Sequence, residues 1–326
     1  MKRSKVSILG AGVIALALAA TMAGPAAADP SPQPKDIVGG GSDTTMFAMN
    51  NVADGATYGG FTVAGYNAAA SARLVSWDAA PTGTIVPKVG YGAIPRPNGS
   101  GGGKRLLYGA NNNTAMNYAR SSSGLSQTEK DNNLYLIPFA VDGMKMAVRT
   151  AGSNAPASLT GAQVVGIYEG TYTNWSQLGG QPGTIVPMIP QSDSGTGTVF
   201  RAQLEALKGG PLSYTSSLVI VQEHDAAPVA ADANAIAPFS TGRAASEPTV
   251  SLVGGWAYLR GLYNVVRQGD LGSPWFSSIF GSDGFLCSGS GLQLIQAAGF
   301  NQLAHPLDGG ECGVPTQDDT TNFAVN

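Results

Sequence analysis

Histidine and cysteine are scarce in this 326-residue chain, which has two of each: His224, His305, Cys287 and Cys312. With the cysteines paired, too few nitrogen and sulfur ligands remain for zinc, so neither a metal nor a cofactor is expected. An isolated cysteine pair in an exported chain reads as a disulfide, not a redox motif. Closing the loop from Cys287 to Cys312 is worth ~3.5 kcal/mol in the chain-entropy account and would staple the C-terminal segment. Charge is scarce too, at 12% of residues. Beyond the N-terminus no segment reaches the roughly 18 consecutive apolar residues of a membrane span. There is no Gly-x-Ser-x-Gly elbow, and a serine hydrolase would have only His224 or His305 as base.

The N-terminus is different. Lys2, Arg3 and Lys5 precede an apolar run at 8–22 and the small residues Ala26-Ala27-Ala28, the layout of a secretory signal peptide cleaved after Ala28. Gly10, Gly12 and Gly24-Pro25 interrupt the run, which disfavours a membrane anchor. No cysteine stands near the cleavage site, so an acylated anchor has no attachment point and a secreted, extracellular protein is expected. Without its three basic residues the chain carries 15 basic against 21 acidic groups, a net charge of −6. That disfavours nucleic acid or an anionic membrane as partner. A small anion remains possible, because backbone N–H groups and helix ends hold one without a net positive field.

After a short Pro-containing linker, 29–35, a strand at 36–38 runs into Gly39-Gly40-Gly41 and the polar cluster Ser42-Asp43-Thr44-Thr45. Met46, Met49 and Ala53 then repeat at helical spacing. Ser, Asp and Thr cap helix starts, where free N–H groups can receive an anion. The same grammar recurs three times. Strands at 75–78 and 84–89 lead through a loop at 94–103 into a helical stretch at 104–108. Residues 116–120 lead into Ser121-Ser122-Ser123. A strand at 184–189 leads through a Gly-rich loop, 191–197, into a helix with Phe200, Leu204 and Leu207 on one face. Further strands are predicted at 134–140, 143–148, 235–239, 249–252 and 258–266. An amphipathic helix carries Leu159, Val164, Ile167 and Tyr168, and a C-terminal helix spans 289–298. Alternating strands and helices argue for an α/β fold with ligands at the C-terminal strand ends. A mature chain of about 300 residues favours two lobes.

Gly99-Ser100-Gly101-Gly102-Gly103-Lys104 invites comparison with a nucleotide P-loop. Asn98 stands where that motif needs its first Gly, and Arg105 where it needs Ser or Thr. One Ser/Thr/Gly loop before a helix is ordinarily a capped helix start. Four such loops form a constellation.

In order along the chain, these segments resemble the substrate-binding proteins of phosphate ABC transporters, including their secreted relatives. The 39–45 segment looks like that family's Gly-Ala-Gly-Ala-Thr-Phe, Asn98-Gly99-Ser100-Gly101-Gly102 like its Gly-Ser-Ser-Gly-Gly, and Tyr118-Ala119-Arg120-Ser121-Ser122 like its Phe-Gly-Ala-Ser-Asp. Ile137-Pro138-Phe139-Ala140 is similar to its crossing strand. The most specific match runs from Leu159 through Val164, Ile167, Tyr168 and Gly170 to Trp175. With one inserted residue, Gln191 to Phe200 resembles its Arg-x-Asp-Gly-Ser-Gly-Thr-x-Phe loop.

The resemblance implies a two-lobed type 2 periplasmic-binding-protein fold, each lobe a mixed sheet flanked by helices, joined by crossing segments near 137–148 and 258–266. Lobe I would comprise 36–146 and 257–326, and lobe II 147–256. It implies a monomeric binding protein, not an enzyme, that captures phosphate or a similar tetrahedral oxyanion for an ABC transporter permease. The implied contacts are Ser42, Asp43, Thr44, Thr45, Ser100, Ser121 or Ser122, and Ser194, Gly195, Thr196, Gly197 and Thr198. Two positions depart from the pattern: the family's arginine is Gln191, and its phosphate-accepting aspartate is Ser122. A carboxylate acceptor lets a site prefer protonated phosphate over sulfate. Asp43 and Arg120 stand where the family has neutral and small residues, so acid and base could have moved to them. Alternatively, Asp43 caps a helix and Arg120 pairs with a surface carboxylate. Two other functions fit the same residues: a secreted phosphoesterase using Thr44 or Ser100 with Asp43 as base, and a non-transport protein on the same scaffold.

Overall fold

The computed structural model describes residues 29–326, so the expected signal segment and its cleavage point lie outside the described residues. Among the described residues no helix is long and apolar enough to cross a membrane. The main sheet has ten strands, eight of which place the site. These are β1 (Ile37–Gly41), β2 (Leu74–Ser76), β3 (Tyr118–Ser121), β4 (Leu134–Arg149), β5 (Val186–Pro190), β6 (Val219–Val221), β7 (Ala235–Ser240) and β8 (Val250–Arg267). The helices that matter are α1 (Met46–Asp54), α2 (Ser100–Lys104), α3 (Gly161–Glu169), α4 (Gly195–Lys208) and α5 (Gly289–Ala297).

Strand order across the sheet is β6-β5-β7-β4-β8-β3-β1-β2. On one side β2, β1 and β3 run parallel; on the other, β6, β5 and β7 do. Between them β4 and β8 pair antiparallel over most of their lengths, β3 pairing antiparallel with β8 and β7 with β4. The register decides where the two parallel sets stop. Ser121 of β3 lies opposite Tyr263, and Tyr263 opposite Pro138; Ser240 of β7 lies opposite Met144. The C-terminal ends of β3 and β7 therefore approach from opposite directions and end on either side of Asp142 and Arg260, themselves register partners. Ligand sites in α/β sheets lie off such ends.

Two apolar cores separate along this line. Ile137, Phe139, Leu262 and Val266 pack with Met49 and Val52 of α1 and Leu294 and Ile295 of α5. Val164, Ile167, Tyr168, Trp175, Phe200 and Leu204 form another around α3 and α4. Local sequence sets α3 well: Thr160 and Gln163 make a reciprocal capping box, and Gly170 ends the helix at φ 82°, where glycine has no Cβ penalty. The fold is thus a mixed α/β architecture in two lobes, one large sheet flanked by helices with an apolar core on either side of the crossing strands.

Several boundaries differ from the sequence expectation. The strands expected at 134–140 and 143–148 are one strand, β4, and those at 249–252 and 258–266 are one strand, β8. Gly254-Gly255 reads as a break, but β8 absorbs it as an irregularity between Leu252 and Ala257 while both glycines pair with Ser158–Leu159. The strand expected at 84–89 is only Thr84–Ile85, hairpinned to Ile94–Pro95. The Gly-rich segment assigned to a loop is itself helix α2, and 105–107 continue as a 3-10 turn. Gly103 is needed there for close approach, since a Cβ would lie 2.7 Å from the Gly40 carbonyl oxygen of β1, which propensity does not anticipate. Cys287 and Cys312 form the expected disulfide, with Cα atoms 5.8 Å apart, tying the turn before α5 to the tail.

Candidate functional site

Strand β1 ends at Gly41, where φ is 123° and a Cβ would press on the Arg120 carbonyl at 2.8 Å. A side chain there is strained twice over, so glycine lets β1 run hard against β3 before the chain turns through Ser42–Thr45. This delivers the Thr44 hydroxyl to the centre of a buried polar cluster. Thr44 Oγ1 lies 3.2 Å from Ser122 Oγ, 3.2 Å from Thr196 Oγ1, 3.0 Å from His224 Nε2 and 3.4 Å from Arg260 Nη2, and it donates to Glu223 Oε1 at 3.2 Å. Ser42 Oγ donates to Ser122 Oγ at 3.2 Å.

Helix α4 enters this cluster by its first turn. The Thr196 N–H donates to Glu223 Oε1 at 3.0 Å, so a carboxylate oxygen sits on the helix start, where anions are stabilised. Gly195 allows the approach, because a Cβ would collide with Ser100 Oγ and Ser122 Oγ. Ser100 Oγ in turn accepts the Ser122 N–H at 3.0 Å. Beneath the cluster, Arg260 Nη2 reaches Asp142 Oδ2 at 2.8 Å, and Asp142 Oδ1 accepts from Ser240 Oγ at 2.7 Å. Both charges are buried.

Of the residues singled out in the sequence, the fold brings together Ser42, Thr44, Ser100, Ser122, Gly195 and Thr196. Others face elsewhere. Ser121 Oγ bonds Ser123 O, and Ser194 Oγ caps α4 through the Gly197 N–H. Thr198 is exposed, with its hydroxyl on Ser194 O. Thr45 Oγ1 is buried with no partner among the described residues. Arg120 lies behind β1, donating to Ser42 O, Ser76 Oγ and Trp77 O, and meets no carboxylate. Asp43 turns to Arg243, whose Nη1 donates to Asp43 Oδ1 at 2.6 Å while the guanidinium stacks on Phe47. Asp43 therefore neither caps α1 nor faces the Thr44 hydroxyl; the basic atom beside Thr44 is His224 Nε2. Gln191 bridges the lobes, donating to Asn98 Oδ1 at 2.8 Å and accepting the Glu223 N–H at 2.8 Å.

Sequence reading missed Glu223, and missed His224 except as a possible hydrolase base, and it missed Asp142, Arg243 and Arg260. A signal for the first two exists: Val219-Ile220-Val221 followed by Gln222-Glu223-His224 repeats the apolar-strand-then-polar-turn grammar, without its Ser or Gly. Asp142 and Arg260 signal themselves as charges inside apolar strands, which need partners when buried.

Burial, outweighing Arg243, pushes the Asp43 carboxyl up to about 6, and Glu223 adds to the rise. Burial, with Arg243 and Arg260, holds His224 well below the usual histidine range, so its imidazole is neutral near pH 7. A carboxyl whose folded pKa is raised contributes stability that is full below its unfolded pKa and lost as pH rises through the folded value. Wild type is therefore expected to lose stability relative to Asp43→Asn as pH rises from about 4 to about 6, read as the difference between their urea midpoints. A flat difference would show that Arg243 keeps Asp43 ionised throughout.

Residues 37–264 match the family described as PBP superfamily domain. The chain belongs to this superfamily. No curated protein matches it. Among solved structures, a Clostridium perfringens protein assigned as a phosphate ABC transporter substrate-binding protein, with bound phosphate, superposes with TM-score 0.61 at 19% identity, covering 82% of this chain and 99% of its own. An ABC-type phosphate transport receptor from Vibrio cholerae gives 0.53 at 19%, covering 81% and 98%. A human phosphate binding apolipoprotein gives 0.52 at 16%, covering 81% and 90%. At these identities the likeness is one of fold. In this superfamily member the hydroxyl cluster lies between the facing strand ends of the two lobes.

Proposed function

We propose that this protein is exported and captures inorganic phosphate, or a similar tetrahedral oxyanion, between its lobes for ABC-type uptake, making and breaking no covalent bond. The observation that carries this reading is the convergence of donors from both lobes on one buried point: the Thr44 and Ser122 hydroxyls from one, the Thr196 hydroxyl and N–H from the other, with Arg260 alongside. The lobes are 36–146 with 257–326, and 147–256, hinged in β4 and β8. Thr44 and Thr196 touch across the cleft, so a ligand enters by separating them and the lobes close on it again. Phosphate-bound relatives of the same fold support the choice of ligand.

Glu223 sets the protonation state of that ligand. Its Oε1 receives Thr44 and Thr196, while Oε2 is buried with no partner among the described residues. Hydrogen phosphate brings the missing proton; sulfate has none to bring. The phosphoesterase alternative loses its base, because Asp43 is held by Arg243, and His224 Nδ1 has no orienting partner. Calorimetry on the purified protein is expected to give one phosphate site and sulfate binding at least about 1000-fold weaker, with no phosphate released from a chromogenic ester. No binding of either anion would sink the reading.

A further inference from the structure

Next to the hydroxyl cluster lies a cavity of about 440 Å³ that shares Ser122 and Arg260 with it. Small-ligand sites have volumes of this order, and inorganic phosphate, held by the cluster itself, needs none of it. Both lobes and the crossing strand β8 wall the cavity, so it forms when the lobes meet: Ser122 and Lys104 from one, Asp193 and Val199 from the other, Tyr258 and Tyr263 below.

The charges on its wall are unequal in one respect. Each cation has its own carboxylate, Lys104 with Glu129 at 2.9 Å, Arg105 with Asp193, and Arg260 with Asp142. Asp319 is left over, with no hydrogen-bond or ion-pair partner among the described residues. It is not loose. The next residue donates its N–H to Tyr263 Oη at 3.1 Å, and the preceding Asp318 pairs with Lys130 at 2.7 Å. Gly124 makes room for it, since a Cβ there would strike the Asp319 carboxylate. Asp319 keeps one side open to solvent, and its partial desolvation against the wall raises its pKa more than Lys130 and Lys104 lower it. Tyr258, Tyr263 and Phe323 complete the lining, and an ammonium is attracted to an aromatic ring whose face it meets. A second anionic group would be repelled here; an ammonium would be held.

We propose that this chamber holds the aminoalkyl substituent of a phosphate ester or phosphonate whose tetrahedral end occupies the hydroxyl cluster. The inference rests on the oxyanion reading and narrows its ligand class. The test is calorimetric titration of the full mature chain with inorganic phosphate, O-phosphoethanolamine, 2-aminoethylphosphonate and glycerol 3-phosphate. Both amines are expected to bind about 10-fold more tightly than phosphate, and glycerol 3-phosphate no more tightly than phosphate. Asp319→Asn is expected to remove that advantage while leaving phosphate affinity within about twofold, its fold checked by an unchanged urea midpoint. Phosphate binding with no gain for the amines, or an amine gain that survives Asp319→Asn, would overturn the chamber and leave the oxyanion reading standing. An equal gain for glycerol 3-phosphate would overturn the ammonium. Failure of all four ligands would overturn both readings.

Discussion

Replacing Glu223 by Gln is expected to collapse the preference for phosphate over sulfate by about 1000-fold, about 4 kcal/mol. The carboxylate sits where the first turn of α4 and the Thr44 hydroxyl deliver their donors, and its second oxygen is buried without one. A site built around a buried acceptor rejects an analogue that cannot donate to it, because the acceptor is then left desolvated and unpaired. Sulfate adds charge repulsion at short range in a water-poor cleft. The Gln amide removes the charge and can turn an N–H₂ toward sulfate, so sulfate should gain while phosphate loses. Parallel titrations of both anions with wild type, Glu223→Gln and Asp43→Asn separate the possibilities. If the ratio is unchanged in Glu223→Gln and both anions bind more tightly, Glu223 merely competes for the donors. If it falls in Asp43→Asn instead, the acceptor is Asp43, and the pairing with Arg243 must break on binding.

Removing the other central carboxylate acts on stability. Asp142→Ala is expected to cost about 3–5 kcal/mol, because it leaves the buried Arg260 charge uncompensated between the lobes. Arg260 has Ser122 O and Thr44 Oγ1 within 3.4 Å as remaining neighbours, neither of them charged. Removing both charges together, as Asp142→Leu with Arg260→Met, should recover much of that loss, since a packed apolar pair avoids the desolvation penalty. Recovery will be incomplete, because Ser240 Oγ also donates to Asp142 and would lose its acceptor. Urea unfolding of the single and double variants measures the difference. A single-variant loss below about 1 kcal/mol would mean that water reaches Arg260 and that the crossing strands are not sealed at this step.

Much of the fold was readable because its signals are local. The period of Val164, Ile167 and Tyr168, the Thr160–Gln163 box and Gly170 describe α3 without reference to anything distant, whereas Leu159, expected on the same helix, lies on the short strand Ser158–Leu159 that pairs with β8. The Ser/Thr/Gly loops were found for the same reason: a cap or a tight turn is decided within a few residues. The errors fell where distant chain intervenes. Gly254-Gly255 breaks a strand by propensity, yet pairing with β4 on one side and Ser158–Leu159 on the other carries β8 through it. The Gly run at 99–103 looks like a loop until its packing against β1 and β3 is seen.

By itself, then, the sequence determined the α/β class, the disulfide expectation, the expectation of export and which loops bring hydroxyls to strand ends, since composition and short-range periodicity carry all of these. Only the tertiary structure decided which side chains meet there. Asp142 and Arg260 lie 118 residues apart and Asp43 and Arg243 lie 200 apart; their pairing follows from the register of β4 on β8 and the closure of one lobe on the other. Among buried carboxylates, the neighbours then separate Asp43, which faces an arginine, from Glu223, which faces the donors of a helix start. That difference is electrostatic, and it exists only once both lobes are in place.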